Sequence, residues 1–368
     1  MKANAKKRIN GNLIFNIAVF ILSVGLIAYF VFSKDGLRDF MHTARHVSMF
    51  WLSMALFLQL FNVFIDILLV YMFIRQRYKD FTFREAIKVG MVGAFFSAVT
   101  PASTGGQPMQ VYLMSKMNID VGFSTSVLVQ KFLIFLSTSF VSSIFIILIK
   151  FKMFTQAIDS FLMWIFVAAG FISQLVVVSA VVVATVNQSL TNRFIMFIAK
   201  CLSKIRIVKN VDKKKDGILA QLDAFHSANK NLYKQPKLVV VSYILVVIQV
   251  TAIYSVVYCI YRSFGLHGAS LFDMISAQAI VNLVSAMMPL PGASGAAELS
   301  FAMFFAMFFR PEIIKPVILL WRFITYYAMI VITAPFSFLT KGAKKAQDEI
   351  ITEVLQYENS SECNSSDI

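Results

Sequence analysis

The sequence predicts an all-α polytopic membrane protein: about six full transmembrane helices plus two broken re-entrant helical hairpins, with the two halves arranged as an inverted repeat. Three observations carry this. The chain is 58% hydrophobic and only 14% charged, with 37 phenylalanines among 368 residues, whereas a soluble domain is about a quarter charged. Several stretches exceed the roughly 18 apolar residues that argue for a membrane-spanning helix. Finally, two apolar stretches are each interrupted once: by Thr-Pro-Ala-Ser-Thr-Gly-Gly-Gln-Pro at 100–108, and by Pro-Leu-Pro-Gly-Ala-Ser-Gly-Ala-Ala-Glu at 289–298. Proline lacks an N–H and glycine tolerates unusual backbone angles, so both breaks unwind the helix locally. Unwound backbone is tolerated at membrane depth only against protein or a water-filled cavity. Broken helices in corresponding places of two halves point to a transport site.

In chain order, Lys2, Lys6, Lys7 and Arg8 precede an apolar run at about 13–32. The run is too long for a signal peptide and no small-x-small cleavage site follows it, so it reads as a retained first span. Further spans read as 48–74, 123–149, 161–186, 238–261 and 317–339, with the broken segments at 85–117 and 271–309. With both breaks re-entrant, the two termini share one side. That side collects Arg75, Arg77, Lys79, Arg84 and Lys88, the loop 187–237 with eleven Lys or Arg against three Asp, and Lys341, Lys344 and Lys345. The other side holds a sparser set: Lys34, Arg38, Arg45, Lys150, Lys152, Arg262 and Arg310. The excess of positive charge puts both termini in the cytoplasm. The first hairpin then enters from the cytoplasm and the second from outside.

The membrane domain is expected over 1–340 and a cytoplasmic, Ser/Glu/Asn-rich disordered tail over 341–368. Within the basic loop, Leu190, Phe194, Ile198, Leu202 and Ile205 recur at helical spacing among Arg193, Lys200 and Lys204. That pattern fits an amphipathic helix on an anionic leaflet, or one packed on the protein's own cytoplasmic face. The net charge of +15 belongs to these loops, so anionic lipid and not nucleic acid is the expected partner. A homo-oligomer is compatible with the sequence.

Ionisable residues inside membrane segments cost about 2.5–3.5 kcal/mol each at a helix centre, which makes them candidates for function. Asp66 lies deep in the second span and Lys131 two turns into the next; Glu298 closes the second break, and Arg322 lies in the last span. Packing ion pairs and snorkelling are the competing explanations. A Glu298–Arg322 pair is expected, because both fall in the same half-repeat. Around the breaks, backbone amides near Gly105, Gly106, Gly292 and Gly295 would favour an anion such as phosphate, and Thr104 and Gln107 add neutral hydrogen-bonding groups. The competing role for these glycines is close helix packing.

No catalytic constellation is visible: there is no nucleophile elbow, Walker loop, dinucleotide fingerprint or HExxH. Cys201, Cys259 and Cys363 are widely spaced and the four histidines scattered, so neither a metal site nor a cofactor is expected.

The first break, with Tyr112, Leu113 and Lys116 after it, resembles one signature of the membrane domain of lysylphosphatidylglycerol synthase-flippases. The second break resembles another, with Arg322 where that family carries an arginine in its last conserved helix. The resemblance covers about 10–340. It implies lipid handling: in bifunctional members a cytosolic domain transfers lysine from lysyl-tRNA to phosphatidylglycerol, and the membrane domain moves the cationic lipid outward, which repels cationic peptides. Here about 29 residues follow the last span, which leaves no room for the aminoacyltransferase domain. The expectation is therefore a lipid flippase or lipid-binding transporter for a phosphatidylglycerol-type or aminoacylated phospholipid. Phosphatidylglycerol lysyltransferase and a carrier of polyprenyl-linked sugar stand as alternatives. Glu298 and Arg322 carry over from the family's pattern; Asp66 and Lys131 rest on burial alone.

Overall fold

Two long apolar helices form the spine: α1 (Met49–Ile74) and α8 (Pro236–Ser263). They pack side by side and antiparallel. The Ser48 amide, at the start of α1, donates to Ser263 O at the end of α8 (2.9 Å). Midway along, Gln249 Nε2 donates to Asn62 Oδ1 (2.9 Å). The computed structural model describes residues 47–157, 161–204, 211–286, 288 and 290–337. The expected first span and the tail lie outside the described residues.

Each spine helix is followed by a broken hairpin built the same way. After α1 come α2 (Phe83–Val99), a 3-10 turn (Pro101–Ser103) and α3 (Gly106–Lys116); after α8 come α9 (Leu271–Ser285), a 3-10 turn (Pro291–Ala293) and α10 (Ala296–Phe305). Both leading limbs start with the same device. Thr82 and Glu85 form a capping box on α2, as do Ser270 and Asp273 on α9, each satisfying amides that a helix start leaves unpaired. Both limbs stop before a proline, which cannot donate to a continuing helix.

These hairpins return to the side they came from. Tyr78, just past α1, accepts a hydrogen bond from the Asp120 amide just past α3 (3.0 Å). In the second half, Tyr261 near the end of α8 packs edge-on against Phe309, just past α10 (ring centroids 5.4 Å apart). Because α1 and α8 are antiparallel, hairpins hung on their C-terminal ends enter the bundle from opposite faces, and their tips touch. The inverted repeat is therefore expressed in the fold.

The remaining helices complete the bundle. α4 (Val121–Ala157) is kinked at Lys150; α5 (Phe161–Val186) follows, then α6 (Gln188–Lys204) and α7 (Val211–Tyr233) within the basic loop. The last span is α11 (Pro311–Arg322), a π-helical turn (Phe323–Tyr327) and α12 (Ala328–Ser337). It begins six residues earlier than the expected 317, because Pro311 opens the helix at N1, where a missing N–H costs nothing. Among the described residues, five helices are long and apolar enough to span a bilayer. The buried interior includes Phe73, Val256, Ile260, Met274, Phe301 and Phe305, while Phe57, Phe145, Ile172 and Val240 point outward. Large apolar side chains on the outer surface are what a lipid-facing surface requires.

Candidate functional site

The touching hairpin tips and the π turn of the last span form one cluster. Each tip uses two consecutive residues in the left-handed region: Ala102 (φ 50°) and Ser103 (φ 55°) in the first, Gly292 (φ 59°) and Ala293 (φ 51°) in the second. The two breaks thus follow one backbone path with different sequences.

In the first tip the polar groups are spent on the tip itself. The Gly105 amide donates to Thr100 Oγ1 (2.8 Å), and the Thr104 hydroxyl donates to Pro101 O (2.8 Å). Gly106 is buried, and a Cβ there would lie 2.7 Å from Gly93 O on the opposite limb. Its glycine serves close packing. Gln107 is half-buried on the first turn of α3.

The second tip is held by charge. Glu298, on the first turn of α10, accepts from the Gly295 amide through Oε2 (2.6 Å). Gly295 sits at φ 89°, a conformation that a side chain would strain. The other carboxylate oxygen, Oε1, lies 2.7 Å from Arg322 Nε, which realises the expected Glu298–Arg322 pair. Arg322 Nη1 donates to Gly292 O (2.8 Å). Its guanidinium also lies 4.9 Å from the Trp321 ring centre and 5.9 Å from that of Tyr326. The Arg322 side chain is only 8% exposed, yet neither Nε nor Nη2 makes a hydrogen bond among the described residues, Nε being held by its ion contact with Glu298 alone. A buried guanidinium held by one hydrogen bond and one ion contact keeps N–H groups with which an anion could pair. The amides of Gly105 and Gly295 are taken by side chains, so the positive pole of the cluster is Arg322 and not those amides.

Tyr326 ties the two tips together and is absent from the residues expected from sequence. Its hydroxyl donates to Ala98 O near the end of α2 (2.9 Å). Its ring packs on Gly292, where a Cβ would come within 2.6 Å of Cε2. The one available signal is its spacing, four residues after Arg322, which shares a face on an α-helix. The π turn inserts an extra residue directly after Arg322, an irregularity that tends to mark functional positions.

Asp66 and Lys131 are paired with each other (2.8 Å), joining α1 to α4. They stand apart from the tips. Gln59 of α1 reaches the π turn, donating to Thr325 O (3.2 Å), and Asp66 lies seven residues further on, about 10 Å of helix rise. A third pair, Lys150–Asp273 (2.7 Å), joins the α4 kink to the capping box of α9.

Residues 14–333 match the family described as the lysylphosphatidylglycerol synthase TM region. The chain belongs to that family. A UPF0104 membrane protein of Archaeoglobus fulgidus is 27% identical over 252 residues, covering 68% of this chain and 74% of its own length. Both broken hairpins, the spine and Arg322 fall inside the family match, so the tip cluster is part of the shared membrane region of this lipid-related family.

Proposed function

We propose that the protein is a lipid flippase or lipid-binding transporter whose substrate is a phosphatidylglycerol-type or aminoacylated phospholipid. The single observation that carries this reading is Arg322: a buried guanidinium, fixed against the second unwound hairpin tip, with Nη2 making no hydrogen bond. A phosphate oxygen at Nη2 would satisfy it without breaking either existing anchor. Glu298, held by the Gly295 amide, supplies the negative group that an aminoacyl ammonium would seek. The acyl chains would remain in lipid. The loop charges support cytoplasmic termini in a bacterial plasma membrane, and outward movement of an aminoacylated lipid would lower the negative surface charge and repel cationic peptides.

The test is reconstitution of the full chain in liposomes with labelled phosphatidylglycerol and lysylphosphatidylglycerol, followed by leaflet exposure and by mass spectrometry of co-purified lipid. Wild type is expected to move at least one of them and to retain phosphatidylglycerol-type lipid through purification. Arg322→Lys keeps charge but loses the fork geometry and is expected to bind weakly. Wild-type rates in folded Arg322→Lys and Arg322→Gln proteins would falsify the assignment.

The family description also names a synthase, so the enzymatic alternative has its own assay. Purified chain given lysyl-tRNA and phosphatidylglycerol is expected to form no lysylphosphatidylglycerol; robust turnover would replace the transporter reading with the lysyltransferase.

A further inference from the structure

We infer that α6 is a peripheral anchor that lies flat on an anionic lipid leaflet, with its aromatic stripe in the acyl boundary and its basic edge at the headgroups. The helix leaves α5 by a sharp turn. Asn187 Oδ1 caps its start by accepting from the Leu190 amide (3.0 Å). The Thr191 hydroxyl donates to Ala184 O, seven residues back, at 2.9 Å; a straight helix would separate them by about 10 Å. The chain therefore turns aside where the α5 span ends.

The stripe that α6 presents is apolar and uncovered. Leu190, Phe194 and Phe197 recur at i, i+4 and i+7 and are 49%, 62% and 65% exposed. Packing on the protein's own cytoplasmic face would have hidden them. What α6 does pack through lies elsewhere: Thr191 is buried, and Gln188 bonds Asp223 of α7 (2.7 Å). The stripe continues from the outward-facing Val182, Val183 and Val186 at the end of α5, a surface already directed at lipid. At 100° per residue, Arg193, Lys200 and Lys204 all fall along one flank of the stripe. An apolar stripe edged by cations fits an anionic interface and not a neutral one.

The experiment places an environment-sensitive fluorophore at Phe197→Cys in an otherwise cysteine-free full chain. The protein is reconstituted in phosphatidylcholine with or without phosphatidylserine, an anionic lipid distinct from the one proposed for transport. With phosphatidylserine, nitroxide carried on lipid tails is expected to quench the label strongly and aqueous nickel weakly. The preference should fade as salt rises and in the triple variant Arg193→Gln, Lys200→Gln, Lys204→Gln. Strong quenching by aqueous nickel in both lipids would overturn the proposal. So would protection from both quenchers, which would mean that another segment of the chain covers the stripe, or lipid quenching that ignores headgroup charge. None of these outcomes depends on whether the tips move a lipid.

Discussion

The two hairpin tips share a backbone path but not a chemistry. In the first, the left-handed pair is Ala102 and Ser103, and the turn is closed by Thr100 and by limbs packed through Gly106 and Gly93. In the second, the pair begins with glycine, and the turn is closed by Glu298 and Arg322. The first tip is a fitted wall and the second is the charged part of the site. An inverted repeat can thus keep its geometry while only one copy carries charge at the meeting point.

Breaking the second tip should have the largest effect. Arg322→Gln removes the positive pole and leaves Glu298 half-buried without its partner. It should abolish lipid movement and cost about 3 kcal/mol, the lower end for breaking a buried pair because Glu298 keeps its bond to the Gly295 amide; thermal unfolding in detergent beside the leaflet assay measures both. Glu298→Gln keeps the size and the bond to the Gly295 amide but leaves the buried Arg322 without its counter-charge, so a stability loss of about 3 kcal/mol is expected together with a large loss of transport. Should it instead unfold the protein, with Arg322→Gln restoring stability in the double variant, the pair is a packing device. In the first tip, Gly106→Val forces a side chain against Gly93 O and should cost about 2 kcal/mol, seen as a lowered Tm, while lipid binding by the surviving folded fraction stays normal. Loss of binding in folded Gly106→Val would show that the first tip is more than a wall. The smallest effect belongs to Ala102→Gly. It relieves about 1 kcal/mol of left-handed strain and gives back about half of that through a looser unfolded chain, a net gain near 0.5 kcal/mol by the same melting experiment.

Much of this architecture is legible in the sequence. Apolar length locates the five spans among the described residues, and Pro-Gly chemistry locates both breaks, because these signals are local. The Glu298–Arg322 pair is also readable, since its partners lie 24 positions apart in one half. The Asp66–Lys131 pair is not: it joins residues 65 positions apart, and each acid and base alone looks like a ligand group. Lys150 looks like a loop charge, yet it meets Asp273 across 123 positions. The occupation of the Gly105 and Gly295 amides is hidden for a different reason. Unwound backbone advertises free donors, but only the fold reveals which side chain has already claimed them. Tyr326 is masked by an apolar stretch in which one more aromatic carries little information.

In the antiparallel spine a small change of crossing angle would act through a long lever. Its amide contact between Asn62 and Gln249 lies midway, and the Ser48–Ser263 bond lies 14 residues out along α1, about 20 Å away at helical rise. A rotation of only about 10° between α1 and α8 about that midpoint would displace the far bond by roughly 3 Å, beyond any hydrogen-bond length, while the central amides barely move. Rocking of one half against the other would therefore be read first at Ser48. Exchange of that amide with solvent deuterium would then gauge the angle between the halves.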